Sequence, residues 1–222
     1  MTAQALVALR KDALLQWRTR GRFVAVFVFG ATAMLLFSFA VGPTAGALRA
    51  HAAGFLWLAL LLASTLALAD SFQGEMEHRA LEGLVLLPAS PIGLYYGKAL
   101  ANWAQLALLG IALVPFMVIL YDAPADRALE LGGLILLGTA GLSAPGTLYA
   151  AMTVQVRGNQ TLLPLLLFPL VVPVLLASVN ATALVMTGDP MGQLRPWTLL
   201  LVCFDLIYAS LCGLLFGRVV EA

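Results

Sequence analysis

The residues in this chain that could do chemistry are few and scattered. Gly93-Leu94-Tyr95-Tyr96-Gly97-Lys98-Ala99 approaches the phosphate loop, Gly-x-x-x-x-Gly-Lys-Ser/Thr, whose backbone amides cradle phosphate. It is one residue short and lacks the hydroxyl that holds magnesium, so any ATP-driven role must use another chain. Gly141-Leu142-Ser143-Ala144-Pro145-Gly146 approaches the serine elbow of hydrolases. Pro145 stands where that turn needs its second glycine, and no histidine follows to act as a base. The alternative is a kinked helix in which Ser143 bonds a carbonyl freed by Pro145. Cys203 and Cys212 lie nine residues apart in one apolar run. At about 100° per residue they fall on opposite faces of a helix, which argues against a disulfide.

Asp205 is the one carboxylate well inside an apolar run, about 12 Å from its outer end at about 1.5 Å per residue. Charges at such depth are costly and usually face a bundle interior or a pathway. Two readings fit Asp205: a residue of a transport path or helix interface, or a neutral or hydrogen-bonded packing residue. Gly213 and Gly217 form a Gly-x-x-x-Gly, which allows helices to approach closely, either in a homodimer or within the chain. An intramembrane enzyme is opposed by the lack of clustered His, Cys, Asp or Glu.

The elements that hold these residues are set by composition. Of the 222 residues, 62% are hydrophobic and 10% charged, against about 25% charged in an ordinary soluble domain. Apolar runs cover roughly 23–41, 52–69, 100–121, 129–154, 162–187 and 197–219. Each reaches or nears the ~20 residues that span a bilayer as a helix. Lipid cannot satisfy exposed backbone groups, and uninterrupted apolar runs exclude the alternation of a barrel wall. The expected fold is all-α and polytopic: six transmembrane helices within 21–219, and a short tail at 220–222. The first run is read as a retained span rather than a cleaved signal. Pro164, Pro169 and Pro173 in the fifth run predict a bent helix or a re-entrant piece.

Basic residues set the orientation. Arg10, Lys11, Arg18, Arg20, Arg22, Arg79, Lys98, Arg157 and Arg218 fall on one side, and Arg49, Arg127 and Arg195 on the other. This asymmetry predicts that both termini are cytoplasmic. Residues 1–20 form a cytoplasmic N-terminal segment. Leu6, Leu9, Ala13, Leu14 and Trp17 share one helical arc within it, consistent with an interfacial helix or with a plain basic tail. A net charge of +1 gives no electrostatic footprint for nucleic acid.

The stretch from Asp70 to Lys98 is predicted as a long cytoplasmic loop. Written as a helix over about 72–88, it puts Met76, Ala80, Leu81, Leu84, Val85 and Leu87 on one half. Glu75, His78, Arg79 and Glu82 fall on the other, with Glu77 out of pattern. Pro88-Ala89-Ser90-Pro91 then breaks it. Ser90 can cap the next helix with Pro91 at its first position, and the chain re-enters the membrane at Lys98. Such a helix either docks a soluble partner or lies on lipid headgroups.

The acidic helix, then Leu81-Glu82-Gly83-Leu84-Val85-Leu86-Leu87-Pro88, then Tyr96-Gly97-Lys98-Ala99-Leu100, resembles the signature of ABC-2 type transporter permeases. Within that group the chain most resembles the haem exporter protein B family of cytochrome c maturation. Its length, six apolar runs and lack of an attached ATPase fit. So do Gly54-Phe55-Leu56-Trp57-Leu58 leading into Ala63-Ser64-Thr65-Leu66-Ala67-Leu68, the proline-rich fifth run, and Phe204-Asp205 in the sixth.

The resemblance implies a type V exporter-like permease of the bacterial inner membrane, non-catalytic itself and paired with an ATP-binding subunit that uses ATP. Glu75, Glu77, Arg79, Leu81, Glu82, Gly83 and Leu84 would then form the ATPase-coupling surface. It further implies a homodimer, partner cytochrome c maturation membrane proteins, a haem chaperone, and haem as the cargo of the complex. No cofactor is expected on this chain, and lipid is its other partner. His51, at the outer end of the second run, and His78 could offer imidazole to haem iron, but a wet interfacial role fits His51 better. Two alternatives remain: a permease for a drug, lipid or glycan, and a non-transporting assembly scaffold. If the loop docks an ATPase, Glu82→Lys is expected to reduce recovery of that subunit without abolishing membrane insertion. Unchanged recovery across charge reversals at Glu75, Glu77 and Glu82 would contradict the docking role.

Overall fold

The computed structural model describes residues 20–42, 45–77, 91–155 and 162–221. They form six helices: α1 (Arg20–Val41), α2 (Ala45–Glu77), α3 (Pro91–Tyr121), α4 (Ala128–Gln155), α5 (Leu162–Thr187) and α6 (Leu194–Glu221). All six are long and apolar enough to cross a bilayer. Gly42 closes α1 and Gly188 closes α5, with φ of 84° and 97°, and each donates its backbone N–H to the carbonyl four residues back. That left-handed cap favours glycine, which has no Cβ to clash.

The bundle is built around α4. Of its spanning window, 72% is buried, against 22% for α1. Every residue from Gly141 to Leu148 is buried, so neighbours surround α4 on all sides there. Small residues make this possible. A methyl group at Gly110 on α3 would stand 2.7 Å from Ile135 Cγ2, and one at Gly146 on α4 would stand 2.5 Å from Leu68 Cδ1 on α2. At Gly138 it would collide with the buried Trp57 ring of α2 and lie 2.6 Å from Ser178 Oγ of α5.

The exterior is apolar, and a few polar residues are set among the apolar ones of the core. Val28, Leu36 and Phe39 of α1, Leu165 and Leu176 of α5, and Leu206 and Leu214 of α6 are exposed. Ser64, Asn102, Thr139, Ser143, Thr147, Ser178 and Thr182 are buried. Thr139, Ser143 and Thr147 recur every four residues on α4 and so share one face. An apolar exterior around a hydrogen-bonded interior suits lipid as solvent, where polar side chains must find partners between helices.

One expectation is corrected. α2 continues unbroken through Asp70 to Glu77, so this stretch belongs to the second span's helix and is not loop. The run Leu66-Ala67-Leu68-Ala69 ends at Asp70, but a helix whose end leaves the apolar layer needs no apolar residues to continue. As expected, α3 begins at Pro91, and Lys98 is buried about two turns inside it. Of the two readings of the fifth run, a bent helix or a re-entrant piece, the structure takes the single helix, which holds Pro169 and Pro173.

Gly138→Ala is expected to destabilise the detergent-solubilised protein by about 1–3 kcal/mol, because neither Trp57 nor α5 has room to move. Gly133→Ala meets nothing within 4 Å, so it should be neutral or gain up to about 1 kcal/mol of helix propensity. Thermal-aggregation midpoints of the two variants check this, with opposite directions expected.

Candidate functional site

Asp205 lies about 16 Å along α6 from its first residue, at about 1.5 Å per residue, and so deep in the span. Its Oδ1 is buried between α4 and α5: a methyl group at Gly141 would be 2.9 Å from that oxygen and 2.9 Å from Val174 Cγ2. One turn nearer the outer side, Gly138 opens the space that Ser178 Oγ and the Trp57 ring share. Trp57 Nε1 donates to Thr182 Oγ1 at 2.9 Å, tying α2 to α5. Among the described residues, Ser178 Oγ and Asp205 Oδ1 are the buried side-chain atoms without a hydrogen-bond partner. Two glycines three residues apart on α4 thus let side chains of three other helices, Trp57, Ser178 and Asp205 among them, pack directly against its backbone.

A carboxyl oxygen without a donor does not stabilise its interface, since burying an unsatisfied polar group costs free energy. Asp205 therefore stands at a helix interface without contributing a bond there through Oδ1. The hairpin that begins α6 is fixed outside the span by another acid. Asp189 accepts from the backbone N–H groups of Leu194 at 2.8 Å and Gln193 at 2.7 Å. The bond from Leu194, followed by that from Gln193, holds its carboxyl below the usual carboxylate range.

At the opposite end of the bundle, α2 and α3 flank the segment 78–90. Glu75 and Glu77 stand on the last turns of α2. Arg79, Leu81, Glu82, Gly83 and Leu84 lie outside the described residues, as does the N-terminal segment 1–19. The first turns of α3 are fastened to α4. Tyr95 Oη donates to the Ala144 carbonyl at 3.0 Å, and Ser143 Oγ donates to the Ala99 carbonyl at 2.7 Å. Ser143 thus bonds the neighbouring helix, not a carbonyl that Pro145 frees in its own. Asn102 joins three helices: its Oδ1 accepts from Ser71 Oγ of α2 at 2.8 Å, and its Nδ2 donates to Thr147 Oγ1 of α4 at 3.0 Å.

Gly213 is engaged within the chain. A methyl group there would stand 2.7 Å from Tyr96 Oη, which donates to the Ala209 carbonyl at 3.2 Å. Gly217 follows one turn later on the same helix. On the outer side, Arg49 on α2 bonds both the carboxylate and the backbone carbonyl of Asp122, next to the end of α3. His51 is exposed, with its ring centroid 5.8 Å from that of Phe55. Cys203 is exposed and Cys212 buried, and both are free thiols. Among the described residues no three His, Cys, Asp or Glu side chains converge as a metal site would require.

The sequence reading missed Asn102, Ser178 and the Trp57–Thr182 pair. The signal was present: a polar residue inside an apolar run usually faces the bundle interior. What it lacked was the pairing, which depends on helix order in space.

A bundle of six helices long and apolar enough to cross a bilayer, with lipid-compatible walls, is consistent with a polytopic membrane permease. Residues 3–221 match the family model described as CcmB protein, and the chain belongs to that family. Heme exporter protein B of Rhodobacter capsulatus is 37% identical over 168 residues, 76% of this chain and 77% of that protein. Heme exporter protein B of Pseudomonas aeruginosa is 33% identical over 189 residues, 85% of each chain. The Bradyrhizobium diazoefficiens protein of the same name is 33% identical over 203 residues, 90% of this chain and 89% of that one. The chain is a multi-pass protein of the bacterial inner membrane.

Asp205→Leu puts a methyl group where each carboxyl oxygen stands. It is expected to leave stability in detergent unchanged or to raise it by about 1–3 kcal/mol, since a buried unsatisfied atom is removed. A midpoint several degrees lower would show that the carboxylate makes a structural bond.

Proposed function

We propose that this chain is the membrane subunit of an ABC system that serves haem delivery for c-type cytochrome assembly. A separate ATP-binding chain hydrolyses ATP, and the chain itself is non-catalytic. The observation that carries the reading is the family match over 3–221, which spans all six helices. Relatives called heme exporter protein B cover most of its length. The architecture supports the division of labour: almost everything described is spanning helix, and the one near-match to a phosphate loop falls in α3, around the buried Lys98. A phosphate loop needs its glycine-rich turn ahead of a helix, whereas α3 starts at Pro91, before the first glycine of the near-match.

The ATP-binding chain docks on the α2–α3 connection through Glu75, Glu77, Arg79, Leu81, Glu82, Gly83 and Leu84. Haem is the cargo of the complex and is not bound by this chain. Asp205 lies at the meeting point of α4, α5 and α6, where a conformational change in the bundle would be felt. The complex contains two copies of the chain, other cytochrome c maturation membrane proteins and a haem chaperone.

Affinity purification in mild detergent, with the co-purifying chains identified by mass spectrometry, tests this. An ATP-binding subunit together with cytochrome-maturation membrane proteins is the expected result. An ATPase accompanied by unrelated partners would keep the permease and remove the haem role. No ATPase in several detergents would leave an assembly scaffold.

A further inference from the structure

The hydrogen bonds of the inner half of the bundle are concentrated where α2 ends and α3 begins. Ser71 lies six residues before the end of α2, and Asn102 eleven residues after the start of α3. Their bond therefore closes the whole excursion that contains the docking segment 78–90. Asn102 is 2% exposed, and its amide uses both ends, accepting from Ser71 and donating to Thr147. Ser143 to Ala99 and Tyr95 to Ala144 add two further ties between α3 and α4 within the next turns. Gly141, which faces Asp205 Oδ1, is two residues from Ser143 on the same α4. Hydrogen bonds thus join the ends of α2 and α3 to α4, and the α4 backbone leads on to Gly141, where α4 packs closely against Asp205 of α6.

We propose that Asn102 is a positioning residue that makes the ends of α2 and α3 move as one with α4, so that displacement of segment 78–90 reaches the Gly141–Asp205 contact. This rests on the docking role given above to that segment. An amide suits the task because it offers a donor and an acceptor at once. In an interior without bulk water, separate sliding of the three helices would break these bonds, and their polar groups would have to find new partners within the protein. An apolar contact at the same place would tolerate sliding, because it has no preferred register.

The test uses the full complex in cells that lack the resident copy. Asn102→Leu removes both bonds, and Thr147→Val removes one while keeping side-chain shape. Thr147→Ser keeps the hydroxyl. Three quantities are read at equal membrane content of the chain: recovered ATP-binding subunit, ATP turnover, and c-type cytochrome formed. Asn102→Leu and Thr147→Val are expected to keep recovery and turnover within about twofold of wild type, while cytochrome formation falls at least about fivefold. Thr147→Ser should restore it, and the double variant should be no worse than Asn102→Leu alone. Cytochrome formation that survives Asn102→Leu would overturn the proposal. So would loss of ATPase recovery in proportion to cytochrome, because Asn102 would then only hold the docking surface together. If the wild-type chain recovers no ATPase, the docking reading itself fails, and the proposal falls with it.

Discussion

Hydrocarbon offers no hydrogen bonds, so each polar group carried into the bilayer must find its partner on another part of the protein. That constraint shapes the whole bundle. It makes every crossing a helix, turns Asn102, Ser143, Thr147 and Thr182 inward, and leaves Leu206, Leu214 and Phe39 outside. It also selects α4 as the central helix, because glycine at 138, 141 and 146 lets the neighbouring side chains approach close enough to fill the interior. Glycine is unfavourable in an isolated helix by about 1 kcal/mol, and close packing on three sides offsets this.

The interior divides along its depth. On the inner side, hydrogen bonds join α2, α3 and α4 in fixed register. Deeper in, the contacts among α4, α5 and α6 leave two oxygens, those of Ser178 and Asp205, without partners. On the outer side, Arg49 and Asp122 hold α2 to the end of α3, and Asp189 begins α6.

Much of this was legible in the sequence. Apolar runs gave the spans within a few residues, since the bilayer's thickness fixes their length, and α5 begins and ends where the run Leu162 to Thr187 does. Pro91 marked the start of α3. The apolar runs are shorter than α2 and α3 because hydropathy reports the apolar layer and not the helix: α2 extends from Ala45 to Glu77, and α3 starts at Pro91, ahead of its run. The proline cluster left a bent helix and a re-entrant piece both open, and the single helix is possible because each proline removes only one backbone bond, which a long helix can absorb. Asp205 was singled out by depth alone. Its neighbours Gly141 and Val174, like the partners of Asn102, come from helices distant in sequence, and no spacing rule reports which helices meet.

The central claim is that energy enters this permease from an ATP-binding chain at the connection between α2 and α3. Site-specific photocrosslinking in intact membranes tests it most directly, with the reactive residue placed at position 82 and, as control, at position 127 beyond the other end of α3. The account predicts a crosslink to an ATP-binding chain from position 82 and none from position 127. Crosslinking from position 127 alone would contradict both the orientation and the coupling surface.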